Sequence, residues 1–362
     1  MRDKSDFVAQ EAKSSSKDKE EHIRICLEKQ VESFQTTGFE NFYLINNPLP
    51  EINFEDVDTS CVFLGKQISA PLIISPMTGG CDLAMNINRN LAMAAQKLGV
   101  VMSVGSQRLG LENPSLITSY QVREVAPDIP LLANLGAVYL NYGYGLEECE
   151  RAVDMIGADA LILYLNPMQK VFQGGDNLNF EGVVEKIGYI CKHLSVPVII
   201  KEVGFGLSAD ASTLLKEVGV RILDVAGAGG TSWVKITRYL KGDFSGESNI
   251  NFDNWGIPTA DALISCRQVV KDIPIIASGG IRSGLHMAKA IALGASYVGT
   301  ALPLLVPAME SGEAVTKKIE NLIQELKAAM FCCGTINIAQ LLMWAIHKKV
   351  QVLNEEQAES VS

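Results

Sequence analysis

Cysteine pairs of the C-x-x-C kind are missing from this chain of 362 residues, although it holds 8 cysteines, at positions 26, 61, 81, 149, 191, 266, 332 and 333. The adjacent Cys332-Cys333 does not have zinc-ligand spacing. A chain of this size without a cysteine framework points to a reducing compartment, and a cytoplasmic location is expected. An apolar signal core is missing too: the opening MRDKSDFVAQEAKSSSKDKE carries charge and serine, so export is not expected. Basic residues are in the minority, 31 Lys plus Arg against 41 Asp plus Glu, for a net charge of −10. Such a balance gives no global attraction to nucleic acid or to an anionic membrane, so any anion site must be local. Proline is scarce at 13, which alongside 31 glycines argues against a low-complexity chain. One uncharged stretch, Ala290–Met309, has the length to span a bilayer, but it contains Gly294, Gly299, Pro303 and Pro307. It reads as helix end, buried strand and loop, and no membrane insertion is expected.

What the chain does have is core material, 48% hydrophobic against 20% charged residues. Residues 1–18 read as a flexible N-terminal arm, followed by a short amphipathic helix over Glu20–Glu32 and turn signals at Asn46–Pro50. From Pro71 onward short apolar runs recur at Leu72–Met77, Val100–Val104, Leu131–Asn134, Ala160–Leu165, Val198–Lys201, Ile222–Val225, Ile275–Ser278 and Tyr297–Gly299. Stretches of helical length separate them. Runs of this kind are strands buried on both faces of a parallel sheet. Eight near-equal units spread over about 250 residues favour closure into a (β/α)8 TIM barrel over a doubly wound α/β sheet. The expected organisation is one barrel domain over residues 19–345 and a polar tail over 346–362. The longest gap, within residues 227–272, is rich in Gly, Ser and Asn and is expected to form a lid loop.

In such barrels chemistry sits at the C-terminal strand ends. Here Ser278-Gly279-Gly280 and Gly299-Thr300 offer bare backbone N–H groups beside helix N-termini, a phosphate seat. A lone Gly pair is read equally well as a tight turn; Gly229-Gly230-Thr231 on the preceding strand favours the seat. Lys201 puts a cation at the barrel mouth, suited to a Schiff base or to a place beside an anionic ring such as a reduced flavin. Glu202 is expected to orient Lys201 or a backbone turn, although adjacent strand residues point to opposite sides.

Many ordered segments carry a resemblance that runs from about Lys19 to Leu342: ISPMTGG at 74–80, INRNLAMAAQKLG at 87–99, SVGSQR at 103–108, LLANLGAVYLN at 131–141, VPVIIKEVGFG at 196–206, DVAGAGGTSW at 224–233, WGIPTADAL at 255–263 and SGGIRSG at 278–284. The chain resembles the type 2, FMN-dependent isopentenyl-diphosphate delta-isomerase family. The resemblance implies FMN held by Pro76, Met77, Thr78, Ser106, Asn134, Lys201, Thr231, Gly279, Gly280, Ala301 and Leu302, with NAD(P)H as reductant. It implies a prenyl diphosphate met by Lys19, His22, Ser106, Gln107, Arg108 and Asn166, with Gln169 near the alkene; Lys170, at a position where the chain departs from the family, is added as a candidate substrate contact. Gln169, Asn166 and Lys201 would form the catalytic group. The implied reaction is a 1,3-proton shift without net redox, in a homo-oligomer of four or more subunits.

The chain departs from the family pattern at several places. Tyr164 stands where the family has His, Lys170 where it has the Glu that holds Mg²⁺, Thr237 where it has a Glu after the GGTSW segment, Asp18 where it has Arg, and His286 where it has Asp. No metal ligand is therefore assigned. Lys170 has two readings: its ammonium neutralises a phosphate directly, or it points to solvent and the metal-assisted site is gone. The departures leave open a diverged flavoenzyme acting on another prenyl phosphate, with redox or carbon–carbon chemistry, and a flavin-binding protein without catalysis. An α-hydroxy-acid oxidase is disfavoured by the 4 histidines, since His193 and His347 fall at the wrong places and His286 lies one turn into a helix.

Overall fold

Isoleucine, leucine and valine crowd the eight apolar runs, and side chains alternate between the two faces of a strand. In the computed structural model, which describes residues 4–174, 177–242 and 252–349 with side chains from residue 16, that alternation sorts them into two cores. Ahead of the runs lie β1 (Phe42–Leu44) and the hairpin of β2 (Cys61–Phe63) and β3 (Lys66–Ile68). The runs themselves are β4 (Leu72–Ile74), β5 (Val101–Ser103), β6 (Leu131–Gly136), β7 (Ala160–Tyr164), β8 (Val198–Lys201), β9 (Ile222–Asp224), β10 (Ile275–Ala277) and β11 (Tyr297–Thr300). They pair in parallel in chain order, and β11 returns to β4, closing the (β/α)8 barrel that the spacing predicts.

Ile73, Val101, Leu132, Ile162, Ile199, Ile222, Ile276 and Tyr297 meet inside the barrel. Their chain neighbours, among them Ile74, Met102, Leu131, Leu161, Ile200, Leu223 and Val298, pack outward against the helices. Each fully buried Ile or Leu is worth about 1.5–3 kcal/mol, so a one-residue slip of register would forfeit both cores. The β2–β3 hairpin plugs the lower end, where Phe63 and Ile68 join the interior cluster and the Phe63 ring lies 4.9 Å from that of Tyr297. With the bottom closed, the upper end is the one left for a ligand.

The described helices are α1 (Lys4–Glu28), α2 (Asp82–Leu98), α3 (Arg108–Glu112), α4 (Leu146–Ile156), α5 (Pro167–Gln173), α6 (Val183–His193), α7 (Ala209–Glu217) and α8 (Trp233–Lys241), followed by Thr259–Val269, Gly284–Ala292, Leu302–Glu310, Gly312–Cys333 and Ile338–Leu342. Four of them start where a serine hydroxyl accepts a first-turn N–H: Ser208, Ser232, Ser283 and Ser311. Three boundaries differ from expectation. The first helix begins at Lys4 and ends at Glu28, taking in most of the segment read as an arm. Ile346–Lys348, read as part of the tail, forms β12, antiparallel to β1. Residues 302–310, read as loop, are helical, because Pro303 sits in the first turn where its missing N–H costs nothing. Among the described residues no helix is long and apolar enough to cross a membrane. Of the segment expected to hold a lid, Trp233–Lys241 and Thr259–Val269 are helical, while residues 243–251, like 350–362 of the tail, lie outside the described residues.

Candidate active site

Moving two residues along each strand from the apolar interior layer leads to Ser75, Ser103, Asn134, Tyr164, Lys201, Asp224, Ser278 and Gly299. Period two turns all eight to the barrel interior above that apolar cluster, and seven of them are polar. Six of them line the main cleft, whose walls enclose about 1310 Å³ counted out to its mouth; Ser103 and Asp224 lie beneath. Lys201 Nζ donates to Asp224 Oδ2 at 2.7 Å and to Ser278 Oγ at 2.8 Å. Asp224, not Glu202, is thus the partner of Lys201. Glu202 Oε2 instead accepts the backbone N–H groups of Val203, Gly204, Phe205 and Gly206, at 2.6, 2.8, 2.6 and 3.2 Å. Burial lifts the pKa of Glu202 to about 7 against the pull of those four donors.

Ser75 Oγ, Thr78 Oγ1 and Asn134 Oδ1 are buried without a partner. Buried polar groups are ordinarily bonded, so these three are set out for a guest in the cleft. Beside them the backbone is packed too tightly for side chains. A Cβ on Gly280 would run into Gly229 O and Thr37 Cγ2, and one on Gly230 into Gly280 N. Gly279 and Gly280 both have positive φ, 98° and 73°. A strap over residues 31–37 covers the back of this cradle: Ser33 N–H donates to Gly230 O at 2.8 Å, and Glu32 pairs with Arg282, whose Nε lies 2.8 Å from Glu32 Oε1. A flat ring with a polar edge and a phosphate tail fits these walls, which is what FMN requires.

Two cations meet over one tyrosine, and a third lies within reach of their charge. Lys170 Nζ donates to Tyr139 OH at 2.9 Å and lies 4.8 Å from the ring centroid. Arg108 Cζ lies 5.5 Å from the same ring and pairs with Glu112 at 2.6 Å. Lys170 is therefore drawn in over Tyr139 and does not extend into solvent. On α1, burial and then the charges of Arg108 and Lys170 push the pKa of Lys19 down to about 8. Burial, followed by the Lys19 charge, lowers that of His22 to about 3, so its imidazole is neutral, and both ring nitrogens lack a partner. Tyr164 OH donates to Ser106 Oγ at 3.3 Å, and burial raises its pKa to about 12. Asn166 Nδ2 donates to Gln169 Oε1 at 2.8 Å.

Of the residues singled out in the sequence, Lys19, His22, Pro76, Met77, Thr78, Ser106, Asn134, Gln169, Lys201, Thr231, Gly279, Gly280, Ala301 and Leu302 all line the cleft. Arg108, Asn166 and Lys170 stand just behind its wall. Gln107 is not brought to it. Its side chain is fully buried, Nε2 donating to Ala152 O at 2.8 Å and Oε1 accepting from Asn134 N–H at 2.9 Å, so it braces the end of β6. Thr237 is buried on α8 with its hydroxyl unpartnered, and His286 rests on Phe39, ring centroids 5.6 Å apart; neither lines the cleft. Sequence reasoning missed Ser75 and Asp224, which the period of two from the interior isoleucines would have found. It also missed an apolar wall of Ile23, Cys26, Trp233, Ile236 and Leu305. Lys19, His22, Ile23 and Cys26 are spaced as one face of a helix, the signal that α1 forms a wall.

The FMN-dependent dehydrogenase family matches residues 25–112 and 170–348 of the chain. The isopentenyl-diphosphate delta-isomerase of Rickettsia felis is 48% identical over 324 residues, covering 89% of this chain and 94% of that protein. The protein of the same name from Nostoc sp. is 47% identical over 325 residues, covering 89% and 93%. Among solved structures, a mandelate oxidase variant carrying an FMN adduct superimposes with a TM-score of 0.63 at 18% identity, over 87% of this chain and 90% of that one, a likeness of fold alone.

Proposed function

The chain belongs to the FMN-dependent dehydrogenase family, and from that premise we propose that it is an isomerase that moves the double bond between isopentenyl and dimethylallyl diphosphate. The observation that carries the reading is a cleft that pairs an apolar wall with a lining cation, Lys19, whose ammonium feels the charges of Arg108 and Lys170. A short prenyl chain with a diphosphate head has that polarity. FMN, when bound and reduced, supplies an electron-rich face and a proton donor and acceptor beneath an alkene too weakly basic to be protonated unaided.

Ser75, Thr78, Asn134 and Lys201 would hold the ring, and Gly229, Gly230, Gly279 and Gly280 its phosphate. Lys19, Arg108 and Lys170 would hold the diphosphate. Lys170 acts as a point charge where a carboxylate with Mg²⁺ is expected, so the reaction runs without a divalent cation. Gln169, fixed by Asn166, orients the alkene, and α1 keeps water out. NAD(P)H is the outside reductant, and the enzyme works in the cytoplasm as a homo-oligomer of four or more subunits. The replacements at Tyr164, which lines the cleft, and Lys170, over Tyr139, favour, as a second reading, a diverged member acting on another prenyl phosphate.

The test is to reduce the protein anaerobically and follow isopentenyl diphosphate with and without a chelator. Dimethylallyl diphosphate should form equally in both. No product in either arm refutes the isomerase, and turnover of longer or singly phosphorylated prenyl compounds alone moves the assignment to the second reading. Arg108→Ala should abolish use of any phosphorylated substrate while FMN stays bound.

A further inference from the structure

Three consecutive strands end in a closed ring of polar side chains under the cleft. Lys201 ends β8, Asp224 stands opposite it at the end of β9, and Ser278 follows β10. An ammonium has three N–H donors. Asp224 Oδ2 and Ser278 Oγ take two of them, leaving one for the cleft that Lys201 lines. Ser278 Oγ donates to Asp224 Oδ1 at 2.6 Å, and Ala226 N–H reaches the same oxygen at 3.2 Å, so the carboxylate is held at both ends. Asp224 is 3% exposed and does not itself line the cleft. A buried carboxylate in contact with no ligand costs free energy unless its partner is needed elsewhere.

We propose that Asp224 is a positioning residue for Lys201: it aims the ammonium at the flavin and cancels its charge, so that the ring meets the N–H of an ion pair and not a free cation. This rests on FMN being bound in the cleft and not on the isomerase reaction. The other charged or titratable groups on the same cleft are Tyr164 on β7, Lys19, His22 and Cys26 on α1, and Arg282, itself paired with Glu32. Glu202 turns its carboxylate to the backbone of residues 203–206.

Asp224→Asn keeps the size and an acceptor but removes the charge. Beneath the ring the net charge then rises by one. The reduction potential of bound FMN should therefore exceed the wild-type value. The expected gain is about tenfold in preference for reduced over oxidised FMN, or about 30 mV for a two-electron couple. Adding Lys201→Met should bring the potential back toward the wild-type value, because the original pair and its double replacement are both neutral. A purely structural Asp224 would lower the melting temperature and leave the potential unchanged, which overturns the proposal. If Asp224→Asn does not fold, Ser278→Ala is the substitute: it frees the ammonium's aim and should weaken FMN binding about tenfold and shift the flavin absorption band, and no change in either overturns the proposal. A wild-type protein that takes up no FMN would sink the premise instead.

Discussion

Replacing Gly280 with alanine tests the phosphate seat without touching a charge. At φ 73° the residue is left-handed, which costs an L-residue about 1–2 kcal/mol. The added Cβ would also run into Gly229 O and Thr37 Cγ2, far inside the 3.0 Å that real Cβ contacts keep. Neither obstacle yields easily. One is backbone, and the other sits on the strap, where Ala260 N–H donates to Thr37 O at 2.9 Å. The loop itself must move, and its N–H groups with it. One lost hydrogen bond to a charged phosphate is worth about 1.5–3 kcal/mol, or about 10- to 150-fold in FMN affinity. Titrating apoprotein by quenching of flavin fluorescence reads this directly, and riboflavin, which lacks the phosphate, should be affected far less. Gly143→Ala is the control: Gly143 has φ 89° and no atom within 4 Å of a Cβ, so it pays the backbone cost alone. Wild-type FMN affinity in Gly280→Ala, or an equal loss for riboflavin, would refute a phosphate seat at these glycines.

Lys170→Glu should make turnover dependent on Mg²⁺, since it exchanges a fixed ammonium for a carboxylate beside Tyr139; a variant indifferent to magnesium would show that Lys170 does not contact the diphosphate. Lys19 is charged below its lowered pKa of about 8 and neutral above it. Inorganic pyrophosphate binding should accordingly weaken as pH rises through 8, and Lys19→Met should flatten that limb; an unchanged profile would exclude Lys19 from the anion site. Gln107→Leu leaves the Asn134 N–H buried without its partner. Urea denaturation should show a loss of about 1–3 kcal/mol; a raised KM at unchanged stability would return Gln107 to the substrate.

The barrel was legible because two-sided burial writes itself as short apolar runs, and all eight runs became strands in the expected order. The glycines of the cradle were legible for a similar reason: only backbone fits between Gly229, Gly280 and Thr37. Gln107 misled because a motif position says which residue is present and not which way its amide turns. The helix over Lys4–Glu28 was underestimated because its early turns carry little apolar periodicity.

Composition and spacing by themselves determined the architecture, the level at which chemistry sits and the kinds of group found there, since burial and strand period act on near neighbours in the chain. Tertiary structure alone decided that Lys201 pairs with Asp224, and that Arg108 and Lys170 meet over Tyr139. Those partners come from different strands and helices, and only closing the barrel sets the distances on which ion pairs depend.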